Sequence, residues 1–333
     1  MNTSFGKWAA VLLLAVCGVT PAAAKKSPAA KAPARAAIAS CVRDPYLGAI
    51  AVDALTGRVL FEDQADARGY PASTLKLMDL LIILEKIESG GLKITDRVTA
   101  PAEAAKLGGT QVYLKENETF TVDEMLYALM VQSANDAAVA LATHIAGSPE
   151  AFVGLMNQRA QALGMNATVF HTVHGLPPGE GAQPDVSTPN DFAKLALAVL
   201  KHKDALRYTA TAERVFRVQP ALTIRTHNHL LENYKGKDRH NFPGCDGLKT
   251  GYIKAGGYCI AATARRDADR VLVVIFGSPS YPVRDAKARE LLSKGLADIA
   301  AYRAQHPAPP PPVVPVAPPP PPPPPAKKHW WSW

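Results

Sequence analysis

The sequence predicts one mixed α/β domain in which strands from both ends of the folded region join a single antiparallel sheet, with helices inserted between them. Three observations predict it. In "LGAIAVDALTGRVLFEDQ" two apolar runs flank "ALTG", with Gly57 where a left-handed residue fits, so a hairpin opens the domain. Patterns of helical period with start signals fill the middle. Toward the end, "DGLKTGY", "GYCIAATARR" and "RVLVVIFGS" are short apolar runs bounded by Gly and charge, and read as strands.

The helices follow in order. The run from Ser73 to Glu88 places Leu77, Leu80, Leu81 and Leu84 at helical spacing and stops at Gly90 and Gly91. Thr121 with Glu124 makes a capping box ahead of "MLYALM". Ser148 with Pro149 starts a segment that ends at Gly164, and Ser187, Thr188 and Pro189 repeat that start signal before "NDFAKLALAVLK". A last helix is expected from about Val283 to Ala304.

The ends of the chain differ from this body. Residues 1–24 combine Lys7, an apolar stretch from Trp8 to Val19 and small residues at Ala22 and Ala24, the pattern of a cleaved signal peptide, so export to the periplasm or cell-wall space is expected. Residues 25–37, "KKSPAAKAPARAA", read as a Lys/Ala/Pro-rich leader. The folded domain is placed at 38–305. Residues 306–333 are a proline-rich spacer, a polyproline II rod of roughly 3.1 Å per residue, ending in "AKKHWWSW". Indole rings beside lysines favour contact with a membrane surface.

Composition excludes several classes. Lys plus Arg exceed Asp plus Glu by 37 − 29 = +8, but apart from the two ends the basic residues are scattered among acids, so no nucleic-acid partner is expected. After removal of residues 1–24 the cysteines are Cys41, Cys245 and Cys259, which allow one disulfide at most, and packed thiols are the default. No nucleotide or metal motif appears, so no cofactor is expected. His227 and His229 stand two apart with no third ligand evident, and read as surface or loop histidines. His174, in "HGL", reads as a loop histidine that supports the fold.

Three strings carry chemistry: "STLK" at 73–76, "SAN" at 133–135 and "KTG" at 249–251. Each is common alone, but "STLK" opens a helix, "SAN" interrupts a helical run and "KTG" lies on a strand. A serine hydroxyl needs a base, and a residue at i+3 shares its helix face, so Lys76 can serve Ser73. An ammonium is no base, so the site must lower the lysine pKa by burial or by a second cation, for which Lys249 is the candidate. Ser133 can then relay the proton to a leaving amine, while Asn135 bonds the substrate amide or Lys76. The backbone N–H groups of Ser73 and Tyr252 can receive an oxyanion. The competing reading of "STLK" alone is a helix cap with an exposed lysine.

From about Ala49 to Leu296 the chain resembles the serine D-alanyl-D-alanine carboxypeptidases, the low-molecular-mass penicillin-binding proteins. The resemblance rests on "VDALTGRVLFEDQADARGYPAS", "SANDAAVALA", "HGL" with "STPNDFAKLA", and "DGLKTGY" with "GGYCIAATA". It implies a β-lactamase/transpeptidase-like fold with a helical insertion. It also implies Ser73 as the acylated nucleophile, Lys76 as base, and Ser133 and Asn135 as relay and positioning groups. Lys249, Thr250, Gly251 and the Tyr252 backbone would then bind substrate, with Arg284 near its carboxylate. Peptidoglycan stem peptides are the implied substrates and β-lactams the implied covalent inhibitors. Two positions depart from the family pattern: Leu75 stands where a Thr usually precedes the lysine, and Ile253 where a Thr commonly follows "KTG".

Alternatives remain. A D,D-endopeptidase cleaving D-Ala cross-links uses the same serine chemistry and is not separated from a carboxypeptidase by the sequence. A non-catalytic wall-tethering protein has no need of Ser73, Lys76 and Lys249 together. A class A β-lactamase needs a deacylating Glu, and Glu180 in "PPGEGAQPD" lacks that context.

Overall fold

The computed structural model describes residues 38–306 except 180, 238 and 239. The expected signal peptide at 1–24, the leader at 25–37, the tail from 307 to 333 and Glu180 lie outside the described residues. The opening hairpin is formed by β1 (Gly48–Asp53) and β2 (Val59–Asp63). Gly57 closes it with φ +76° and donates its N–H to the Asp53 carbonyl, the left-handed turn that the sequence calls for.

A 3₁₀ turn, Ala72–Leu75, runs into α1 (Lys76–Glu88). Next come β3 (Arg97–Thr99), α2 (Ala102–Lys106), β4 (Thr119–Thr121), α3 (Val122–Tyr127) and one π-helical turn, Ala128–Gln132. Then follow α4 (Asn135–Ala146), α5 (Pro149–Ala162), α6 (Pro189–Val199) and α7 (Ala205–Thr209). A second hairpin, β5 (Glu213–Arg217) with β6 (Leu222–Arg225), precedes β7 (Cys245–Ile253), β8 (Gly257–Arg266), β9 (Asp269–Ser278) and α8 (Tyr281–Gln305). The main sheet is antiparallel in the order β2-β1-β9-β8-β7, so the chain's first and last strands share it as expected.

The unbroken apolar runs of β8 and β9 follow from burial on both faces. Leu272, Val274 and Phe276 point into the larger core with α1, α4 and α6, while Val271, Val273 and Ile275 point into a second core. Ala288, Leu291 and Leu292 of α8 close that second core. The start signals hold: Thr121 and Glu124 form both bonds of a capping box, Ser148 caps α5 and Thr188 caps α6. The three cysteines are free thiols.

Helix α1 differs from its expected one-sided stripe. All nine residues from Lys76 to Leu84 are buried, because it is the central helix, surrounded by α4, α5, α6 and the sheet. The short elements β3, β4, α2 and α7 and the β5–β6 hairpin were not legible in the sequence. Their apolar positions are too few, and on β5 Val215 faces solvent.

Candidate active site

The turn that carries Ser73 is built from its neighbours. Thr74 does not wait for a helix cap: both its N–H and its hydroxyl donate to the Pro71 carbonyl, at 3.1 and 2.6 Å. Ala72 takes φ +48°, a conformation an L-residue adopts at a cost of about 1–2 kcal/mol, immediately before Ser73. Ser73 makes no capping bond to the helix, and Lys76 is fully buried. The cap-and-exposed-lysine reading is therefore excluded.

The second string sits at a break between helices. After the π-helical turn, Ser133 is left-handed at φ +63° and Ala134 is extended, so α4 starts afresh at Asn135. Asp136 accepts from the N–H groups of Val112 and Leu114 and draws the 108–114 loop across the site. Asn135 then donates Nδ2 to the Gly108 carbonyl at 3.1 Å, which leaves its Oδ1 facing inward. Gly109 permits this approach, since a Cβ there would stand 2.6 Å from Asn135 Nδ2.

Lys76 ties these parts together. Its Nζ donates to Ser73 Oγ at 3.1 Å, to Asn135 Oδ1 at 2.8 Å and to the His174 carbonyl at 2.8 Å. Burial lowers its pKa to about 8, against the opposing pull of Asp79, Asp185 and Asp136. Asp79, one turn further on, is fully buried with no hydrogen bond to either carboxyl oxygen among the described residues. Burial pushes its pKa well above the ordinary carboxylate range.

The third string lies on β7, at the edge of the sheet. Lys249 Nζ donates to Ser133 Oγ and to the Thr250 carbonyl, both at 2.9 Å. Burial, reinforced by the charges of Lys76 and Arg284, holds it well below the usual lysine range. Gly251 lets β7 press against the serine turn: a Cβ there would lie 2.7 Å from the Pro71 carbonyl oxygen and 3.0 Å from Ser73 N. A cleft of about 270 Å³ opens here, lined by Ser73, Ser133, Thr250, Tyr252 and Arg284 among others. Arg284 is buried, and its Nε donates to Asp285 Oδ1 at 2.8 Å.

The predicted residues therefore converge on one cleft from four separate segments. The sequence reading missed the backbone acceptors. His174 contributes its carbonyl rather than its ring, on a loop fixed where Asp185 accepts from His171 N and Thr172 N. It also missed His227, His229, Tyr258 and Tyr281, which line the cleft. The only signal for the first two was "THNHLL" at 226–231, upstream of the third string. Both departures from the family pattern point inward: Leu75 is fully buried in the main core and Ile253 is buried at the end of β7.

Comparison with known proteins agrees with this geometry. The profile of the D-alanyl-D-alanine carboxypeptidases of peptidase family S11 matches residues 46–280. D-alanyl-D-alanine carboxypeptidase DacF of Bacillus subtilis is 35% identical over 246 residues, covering 73% of this chain and 60% of its own length. DacA of Escherichia coli is 33% identical over 253 residues, covering 74% and 59%. The chain thus spans less than two thirds of the length of these curated relatives. Among solved structures, penicillin-binding protein 6B from Escherichia coli superposes with a TM-score of 0.68 at 30% identity, covering 75% of this chain and 77% of that one. Penicillin-binding protein D2 from Listeria monocytogenes, in its ampicillin-bound form, gives 0.66 at 27% identity, covering 75% and 97%.

Proposed function

The chain belongs to the D-alanyl-D-alanine carboxypeptidase family of S11 peptidases, and on that premise we propose that it is a serine D,D-carboxypeptidase that removes the terminal D-Ala from peptidoglycan stem pentapeptides. One observation carries the reading. A fully buried Lys76, its pKa lowered to about 8, holds Ser73 Oγ at 3.1 Å while Asn135 and His174 fix its ammonium from the other side.

Each group then has a step. Lys76 in its neutral form takes the Ser73 proton as Oγ attacks the carbonyl carbon of the penultimate D-Ala. The Ser73 and Tyr252 N–H groups receive the oxyanion. The C–N bond breaks as Ser133 passes its proton to the leaving amine and receives in turn the proton that Lys76 took from Ser73, while Lys249, whose Nζ donates to Ser133 Oγ, holds that hydroxyl in place. Thr250, Arg284 and Lys249 hold the substrate carboxylate. Water then attacks the Ser73 ester, and Lys76, neutral again, takes the water's proton and returns it to Ser73 Oγ as the ester bond breaks. Leu75 and Ile253, turned into the protein, leave these groups in place.

β-Lactams enter by the same attack on Ser73, in accord with the ampicillin-bound form of the Listeria relative. Stem peptides lie outside the cytoplasm, which agrees with a signal peptide at 1–24. The Lys/Trp tail would hold the enzyme near the membrane surface.

Intact-protein mass spectrometry after incubation with benzylpenicillin tests the reading, beside Ser73→Ala. One penicilloyl group on the parent alone is expected, with D-Ala released from pentapeptide. No adduct on a chain that is folded by circular dichroism would sink the acyl-enzyme and favour a tethering protein. An adduct with turnover of cross-linked dimer alone would transfer the assignment to an endopeptidase.

A further inference from the structure

A second cluster of chemically active side chains lies at the rim of the same cleft and has no part in the acyl transfer above. His229 and His240 come from the irregular segment between β6 and β7, and Asp285 from the first turn of α8. Both ring Nδ1 atoms lie close to one carboxylate oxygen, Asp285 Oδ2, at 3.3 Å for His229 and 3.2 Å for His240. The three donor atoms all lie within 4.8 Å of one another.

We propose that His229, His240 and Asp285 bind a divalent transition-metal ion of the zinc class. Three features point to an ion rather than to a hydrogen-bonded cluster. The donor set, two imidazoles and one carboxylate, is one that zinc takes when a fourth position stays open. Bonds of about 2.0–2.1 Å in a tetrahedral shell put neighbouring ligand atoms roughly 3.3–3.5 Å apart, so the observed separations need only small side-chain rotations. Above all, His229 Nδ1 is shielded from solvent and makes no well-formed hydrogen bond, although it stands 3.3 Å from Asp285. His240 Nδ1 is hydrogen-bonded to Asp285 Oδ2, so it is His229 alone whose proximity without alignment fits a donor arranged around a common centre.

The surroundings support the ligands. Arg284 occupies the other carboxylate oxygen, Oδ1, and so orients Oδ2 toward the histidines. The rings of Tyr234 and Tyr281 flank His229, each with centroids at 5.0 Å. His229, Tyr281 and Arg284 all line the substrate cleft, so the open position faces it. A bound ion would cross-link the segment before β7 to α8 and brace the wall that carries Arg284. The sequence concealed the site because only the His227–His229 spacing was visible, and His227 is not one of the ligands.

The test is calorimetric titration of the untagged full chain, stripped with chelator, with ZnCl₂ and separately with MgCl₂. One Zn²⁺ per chain is expected, with no heat from Mg²⁺, which prefers all-oxygen shells. His240→Ala and Asp285→Asn should each weaken Zn²⁺ at least about tenfold. His306→Ala, at the exposed end of α8, should not. Equal affinity in parent and both ligand variants, or no saturable binding, overturns the site. Cobalt loading of the unaltered parent gives an answer that does not depend on the variants folding. Strong visible d–d bands of a four-coordinate ion are expected, and a pale six-coordinate spectrum would overturn the proposal.

Discussion

The two walls of the cleft hold buried charge in opposite ways. On the serine side Lys76 and Lys249 donate to neutral oxygens, those of Ser73, Asn135, His174, Ser133 and Thr250, and both are pushed below the ordinary lysine range. On the α8 side Arg284 is equally buried but lies against the Asp285 carboxylate, 2.6 Å from Nη2 to Oδ1. Burial raises the Asp285 pKa, but the neighbouring His229 ring, the charge and hydrogen bond of Arg284 and the hydrogen bond of His240 outweigh it and hold it below the usual carboxylate range. A buried charge without a counter-ion yields its proton easily, whereas a paired one is locked. The first arrangement suits a group that must exchange protons, and the second a group that must remain a cation.

Replacing Lys76 by Met breaks the first wall. It should lower the second-order rate of penicillin acylation by about a thousandfold, the contribution of a positioned base. Stability should hardly move. The relief of a desolvated ammonium offsets the hydrogen bonds lost by Asn135 and His174. A large fall in melting temperature would mean that Lys76 is held as a structural cation, and the contrast between the walls would fail.

The second wall should respond in the reverse sense. Asp285→Ala leaves Arg284 buried and uncompensated, and should cost about 3 kcal/mol of unfolding free energy. Urea unfolding in the presence of a chelator keeps any metal ion out of the comparison. A loss below about 1 kcal/mol would show that the Arg284–Asp285 pair contributes no more than a surface ion pair.

The difference between the walls also explains what the sequence disclosed. The serine wall was legible because its groups are side chains in short local strings. Ser73 and Lys76 share one turn, Ser133 and Asn135 flank one helix break, and Lys249 sits beside Gly251 on one strand. The sheet was legible for a related reason: β8 and β9 are apolar throughout because each alternates between two cores. What escaped was non-local or carried by backbone. The His174 carbonyl has no side-chain signature at all. His229, His240 and Asp285 meet only because the segment before β7 folds against the start of α8. Helix α1 showed four leucines in a stripe but no sign that its remaining face, with Lys76 and Asp79, would also be enclosed.

Titration of the serine wall gives the smallest and sharpest test. With Lys76 lowered to about 8, its neutral, base-competent fraction grows as pH rises through that value. Acylation should therefore climb about tenfold per unit below the midpoint and level off above it. Quenched-flow measurement of penicilloyl formation between about pH 5.5 and 9.5 would follow the climb. A midpoint near the ordinary lysine value of 10.5 would mean that burial does not displace Lys76. Asp79→Asn refines the result. The charge of Asp79 pulls the Lys76 pKa upward, so its removal can only lower the midpoint. Because burial pushes the Asp79 pKa well above the ordinary carboxylate range and so favours its uncharged form, the expected change is less than about one unit. A larger fall would show that Lys76 has a counter-ion after all, and that the two walls differ in degree rather than in kind.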